Sequence, residues 1–123
     1  MNLLDLCDEE YINLITYKKD ETPVTTPVWL SQLGDYIVIT SSLNAGKVKR
    51  IKANGRATIY TTNQSGSKKL SEEIEVEASI IEDEHEKQLG IIAIRNKYLP
   101  ISKLFMKGPD KNRAIIKLEE RRR

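Results

Sequence analysis

Thr25-Thr26-Pro27-Val28-Trp29, a β-rich run that closes on Thr40-Ser41-Ser42, and then Ala45-Gly46-Lys47-Val48-Lys49-Arg50-Ile51 together carry the topology of this chain. They read as a strand, a turn, a second strand, and a small-residue turn that delivers a basic helix. Pro23 and Pro27 each remove a ladder donor. Pro23–Leu30 is therefore expected to be an edge or bulged strand with some backbone groups left free. Gln32-Leu33-Gly34-Asp35 reads as a tight turn. Tyr36–Ser41 is apolar on both faces and reads as a central strand. In residues 44–54, Ala45, Val48 and Ile51 recur every three positions and give a helix an inward stripe. Ser42 or Asn44 is placed to cap its start, and Asn54-Gly55 to end it.

Outward from this centre, Tyr11–Tyr17 is rich in β-branched and aromatic residues and reads as a strand, with residues 18–22 as its hairpin turn. Residues 3–10 read as a short helix. Arg56–Thr62 is a further strand, followed by a Ser/Gly turn over residues 63–68. Lys69–Ile81 alternates cleanly, with Ile74, Val76, Ala78 and Ile80 inward and Glu73, Glu75, Glu77 and Ser79 outward. Residues 82–99 have helical spacing, with Leu89, Ile92 and Ala93 as the expected buried stripe and Asp83 near the positive end of the helix dipole. Pro100 ends that helix, residues 101–106 form another short one, and Asn112–Glu119 is the last strand. The Arg121-Arg122-Arg123 tail is expected to fray. The order β-β-β-α-β-β-α-β, joined by hairpin turns, argues for an antiparallel barrel rather than a doubly wound parallel sheet.

The 123 residues fit a single domain, 1–123, able to bury about two-thirds of the surface exposed by the unfolded chain. Charged residues make up 31% and hydrophobic ones 39%, and the longest apolar runs are too short to span a bilayer. The start lacks a basic segment followed by a long apolar one, so no secretion signal is read. Cys7 is the only cysteine and has no internal disulfide partner, which suits a reducing cytoplasm. Net charge is only +2, but it is unevenly spread. Tyr36–Ser71 holds seven bases and no acid, whereas Glu72–Glu86 holds eight acids and no lysine or arginine. The basic stretch suits an anionic ligand, a nucleic acid or a phosphate-bearing cofactor. Two solvated faces of opposite sign would produce the same pattern.

Several chemistries are excluded. There is no Gly-x-Gly-x-x-Gly motif, and Gly46-Lys47 lacks the spacing of an NTPase phosphate loop. The lone His85 sits among Glu84 and Glu86 and reads as a solvated side chain. One Cys and one His do not make a common zinc framework. No serine occupies a nucleophile elbow. Redox chemistry would therefore come from a bound cofactor. The start of the basic helix offers N–H groups and a positive dipole end to a phosphate, Ser41 and Ser42 offer hydroxyls, and Lys47 and Arg50 offer charge. A basic amphipathic surface helix has the same local sequence. Trp29 divides similarly between core packing and a ligand wall.

Tyr11–Trp29 resembles the opening hairpin of pyridoxamine 5′-phosphate oxidase-like proteins, above all the branch labelled F420-dependent. Gly46-Lys47-Val48-Lys49-Arg50-Ile51-Lys52-Ala53-Asn54 resembles that branch's basic helix. The likeness runs from Tyr11 to Thr62 and loosely to Leu118. It implies a mainly β, six-stranded antiparallel split barrel with a few short helices, homodimeric, with cofactor sites at the subunit interface. It implies F420 or FMN as hydride carrier, a small-molecule substrate and no strict catalytic side chain. By matching positions, Thr26, Pro27, Val28 and Trp29 would lie along the ring. Thr40, Ser41, Ser42, Gly46, Lys47 and Arg50 would hold the phosphate and, for F420, its acidic tail. Two departures stand out: Asp20-Glu21 replaces the family's Asp-Gly turn, and Thr61-Thr62-Asn63-Gln64 replaces a Pro-Cys pair. The reading is thus an F420-dependent oxidoreductase. An FMN-dependent one, or a cofactor-binding protein without turnover, has the same fold. A nucleic-acid-binding barrel is the remote alternative, because the basic stretch interleaves only Tyr36 and Tyr60.

Overall fold

The structure, a computed structural model, describes residues 2–106 and 108–121. Arg122 and Arg123 of the expected frayed tail lie outside the described residues. The described chain has seven strands: β1 (Ile12–Tyr17), β2 (Pro23–Val28), β3 (Leu30–Leu33), β4 (Tyr36–Ser42), β5 (Arg56–Thr61), β6 (Ile74–Ile80) and β7 (Arg113–Glu120). Its α-helices are α1 (Gly46–Asn54), α2 (Glu84–Lys97) and α3 (Ser102–Phe105), and Leu3–Leu6 forms a single 3-10 turn. None of these helices is long and apolar enough to cross a membrane.

The strands form one curled sheet in the order β2-β1-β5-β6-β7-β4-β3, and every neighbouring pair is antiparallel. Seven strands replace the expected six because the run Pro23–Leu30 is broken at Trp29. Its first part pairs with β1 (Ile12↔Val28) and its second with β4 (Leu30↔Ile39). One extended segment therefore supplies both outermost strands, and Trp29 is the residue between them.

The period of two in β4 explains how one strand serves two cores. Ile37 and Ile39 point into the curl with Ile12, Leu14, Leu30, Ile59 and Ile116, closed over by Val48 and Ile51 of α1 and by Leu3 and Leu6. Val38 points the other way, with Ile115, onto Ile91, Ile94 and Tyr98 at α2. The fully buried Ile91 and Ile94 each contribute about 1.5–3 kcal/mol of hydrophobic burial.

The buried stripe of α2 is Gly90, Ile91 and Ile94, in place of the expected Leu89, Ile92 and Ala93. Leu89 and Ile92 are exposed. The helix rides so close to the sheet at Gly90 that an added Cβ would lie 3.0 Å from Ile115 Cγ2. Asp83 caps the helix by accepting from Glu86 N–H at 2.8 Å. α1 begins at Gly46, with Ala45 at the cap position and no side-chain cap from Ser42 or Asn44. It ends, as its sequence indicates, on Gly55 at φ 68°.

β6 is shorter than the expected 69–81. The Thr61 N–H donates to the Ser71 hydroxyl oxygen at 2.9 Å, and the ladder with β5 begins at Ile59↔Ile74. In the first hairpin turn Glu21 adopts φ 70°, the left-handed region that glycine fills without strain. The turn is held by Thr22 N–H donating to Asp20 Oδ1 and by an exposed Arg56–Glu21 ion pair at 2.7 Å.

Candidate functional site

Where β2 passes into β3 the chain borders a cavity of about 520 Å³. Its walls are Pro27, Val28 and Trp29 from the strand break, Thr40 from β4, Lys47 from α1 and Arg113 from β7. Glu10, Tyr11, Gln64, Ile101, Phe105 and Met106 complete them. One side is thus apolar and aromatic, and another carries two cations and a hydroxyl.

Trp29 is held from outside the strand pair. Its ring stacks on Tyr98 with centroids 4.3 Å apart and planes at 7°, and meets Phe105 edge-on at 6.0 Å. The Tyr98 hydroxyl accepts from Leu30 N–H at 3.0 Å and donates to Glu10 O at 2.7 Å. Beside it, the Lys97 ammonium donates to the carbonyls of Cys7, Glu9 and Leu30 at 2.8, 2.6 and 2.9 Å. The C-terminal end of α2 therefore clamps the N-terminal segment to the strand break. Burial pushes the Tyr98 phenol up to about 12 and the Lys97 ammonium down from its ordinary value.

Thr40 faces the cavity because it alternates with Ile39 and Ser41, which face the curl interior. Its Oγ1 is buried and has no hydrogen-bond partner among the described residues. Ser41 is buried and donates to Ser42 O at 3.1 Å. Lys47 is half-buried. Burial first, and the charge of Arg50 second, depress its ammonium pKa. Arg50 turns away: its Nε donates to Thr16 Oγ1 at 2.7 Å, inside the curl. Its guanidinium also lies over the helix start, where a Cβ on Gly46 would come 2.8 Å from Arg50 Nη1.

Of the ten residues expected at a ligand site, the structure therefore brings Pro27, Val28, Trp29, Thr40 and Lys47 to one cavity. Thr26, Ser41, Ser42, Gly46 and Arg50 are not among its lining residues. Thr26 pairs with Leu14 and shares its inward face. Thr62 is occupied with Lys68 O at 2.6 Å, and neither it nor Thr61 reaches the cavity. Gly66, at φ 76°, seats the 63–68 turn against Asn13 and Pro27 and so places Gln64 at the cavity.

Sequence reasoning missed Tyr98, Phe105 and Arg113. Tyr98 closes α2 just before Pro100 and Phe105 lies just beyond it, a context with no ligand signature. Arg113 lies at the start of the last strand, where the sequence gives it no ligand signature. Only the register Ser42↔Arg113, which sets it on the same face as Thr40, brings it to the site.

Residues of these types suit a flat, phosphate-bearing group. An aromatic wall accepts a ring, while half-buried cations and an unpaired hydroxyl accept an anion.

No family model matches the sequence, and no curated protein does. Solved structures do match in shape. An F420 reductase superposes with TM-score 0.64 at 19% identity, over 99% of this chain and 95% of that one. The heme storage protein HutZ of Vibrio cholerae does so with TM-score 0.69 at 14% identity, over 94% and 84%. A FAD-binding protein of Mesorhizobium loti gives TM-score 0.68 at 10% identity, over 98% and 88%. The curled antiparallel sheet is therefore the split-barrel fold that these proteins share, and at such identities the likeness is one of fold.

Proposed function

We propose that the protein binds a flavin-type cofactor in the cavity at Trp29 and acts as an oxidoreductase on a small organic substrate, with F420 as first choice of cofactor and FMN as second. The observation that carries this reading is the joining, in one cavity, of the Pro27-Val28-Trp29 wall to the half-buried Lys47 and the unpaired Thr40 hydroxyl. The shared fold with an F420 reductase and a FAD-binding protein supports it.

When bound, the cofactor supplies the hydride chemistry. The chain's own residues then have three tasks. Val28 and Trp29 present backbone and an aromatic edge to the ring. Lys47 and Thr40 hold an anionic group on the side chain of the cofactor. Phe105, Ile101 and Met106 keep water from the ring. F420 is favoured over FMN because seven bases without an acid between Tyr36 and Ser71 suit a polyanionic tail better than one phosphate.

In this reading the active form is a homodimer. Leu104 and Phe105, 65% and 72% exposed beside the cavity, are the surface a second copy would cover.

The test is titration of the purified protein with F420 and with FMN, followed by cofactor absorbance and by emission of Trp29, the sole tryptophan. Binding of F420 alone supports the deazaflavin reading, and binding of FMN alone changes the cofactor. Binding of neither removes the function. Tight binding without turnover of any reducible substrate would favour a carrier, a role with a precedent on this fold in the Vibrio cholerae heme storage protein.

A further inference from the structure

Arg113 is a cation whose bonding is incomplete. It lines the cavity, and its side chain is 14% exposed. The one carboxylate within 4 Å of it among the described residues is Asp110, with Oδ1 3.6 Å from Nε. That distance is too long for a hydrogen bond. The same oxygen is already engaged by Arg95 Nη2 at 2.8 Å. Arg113 Nε is buried and has no hydrogen-bond partner among the described residues. Asp110 thus completes Arg95 and leaves Arg113 underused.

The nearest comparable group lies on the same face. Arg113 pairs with Ser42, and Ile115 pairs with Thr40, so Arg113 and Thr40 sit diagonally on one side of the β4–β7 ribbon. Thr40 Oγ1 is likewise buried without a partner. Buried polar groups are nearly always satisfied, and two unsatisfied ones at one cavity mark the position of a missing acceptor. An acceptor that takes a guanidinium and a hydroxyl together is an oxyanion.

We propose that Arg113 and Thr40 form the phosphate-binding subsite of this cavity, in place of the Arg50 that the helix sequence suggests. This rests on the reading of the cavity as a flavin-type site. The ligand chemistry is a phosphate ester, as the monoester of FMN or the diester of F420. Lys47 borders the same cavity from α1 and adds charge without forming the fork.

The experiment compares four probes on wild type, Arg113→Gln, Arg113→Lys, Thr40→Val and Arg50→Gln. The probes are FMN, riboflavin, F420 and the deazaflavin chromophore that lacks the phosphate. Each variant is first checked against wild type by its thermal transition. Arg113→Gln is expected to weaken the phosphorylated member of whichever pair binds by about 10- to 100-fold and leave its phosphate-free partner unchanged. Thr40→Val should cost about 3- to 10-fold with the same selectivity. Arg113→Lys should restore only part of the loss, because it keeps the charge and loses the planar donor pair. An equal loss for both members of a pair, or a phosphate-selective loss at Arg50→Gln and none at Arg113→Gln, overturns the proposal while the cofactor reading stands. If wild type binds none of the four probes, the cofactor reading itself falls.

Discussion

Replacing Tyr98 with Phe removes one oxygen and tests how the strand break is held. The ring stays on Trp29, so the stacking at 4.3 Å is kept. The Leu30 carbonyl retains Lys97 as donor at 2.9 Å. What is lost is the acceptor that the hydroxyl offers to the N–H of Leu30, a residue with no exposed surface, together with the proton it donates to Glu10 O. A buried donor left without an acceptor costs about 1–3 kcal/mol. With about 2.1 cal/mol/K of unfolding entropy per residue, a chain of 123 residues loses about 4–12 °C in Tm for that change.

The same variant carries a pH signature. Burial raises the folded pKa of Tyr98 from 10.0 to about 12, so the neutral phenol is the form the fold favours. Its contribution is complete below the unfolded pKa and is lost as pH rises through the folded one, at about 1.36 kcal/mol per unit. The gap between wild type and Tyr98→Phe should therefore be constant below pH 10 and narrow toward pH 12. Thermal or urea unfolding followed by Trp29 emission reads both quantities. A variant within a degree or two of wild type at neutral pH, or a gap that does not change above pH 10, refutes the anchoring of Leu30 by the hydroxyl.

Lys47→Ala should weaken binding of the phosphate-bearing cofactor by about 1–3 kcal/mol, measured by the same absorbance titration; unchanged affinity would place the anion elsewhere. Glu21→Gly should raise Tm by a few degrees. Relief of the left-handed backbone at φ 70° is worth about 1 kcal/mol, against a few tenths for the exposed pair with Arg56; a lower Tm would give the ion pair the larger share. Gly90→Val should destabilise by about 1–3 kcal/mol in urea unfolding, since even one added carbon lies 3.0 Å from Ile115 Cγ2. A stability equal to wild type would mean that α2 is free to move off the sheet.

The strands and their antiparallel arrangement were legible because β-branched runs and turn residues mark them directly: Tyr11–Tyr17, Tyr36–Ser41 and the alternation through Ile74–Ile80. The phase of α2 was not, because the residue nearest the sheet is Gly90, and a glycine adds nothing to a hydrophobic stripe. Leu89 and Ile92 outweighed it in the pattern and are in fact exposed. The break at Trp29 left a trace in the two prolines that precede it, which mark irregular pairing without showing that the chain changes neighbours. Half of the ten residues expected at the site reach one cavity: Lys47 followed from the local sequence of the helix, and Pro27-Val28-Trp29 and Thr40 from the resemblance. Arg50 and Arg113 were indistinguishable as letters. Thr16 draws one inward, and the β4–β7 register carries the other to the cavity.

Because β2 and β3 are consecutive in the chain and outermost in the sheet, the two free borders share a single joint at Trp29. Most sheets fray at each border independently. Here a fluctuation that lifts residue 29 from Tyr98 slackens both at once, and amide exchange in β2 and β3 should rise and fall in step. Anything that grips Trp29 from the cavity side suppresses both openings together. Occupancy of the cavity and breathing of the barrel are then two readings of one equilibrium, linked by mass action.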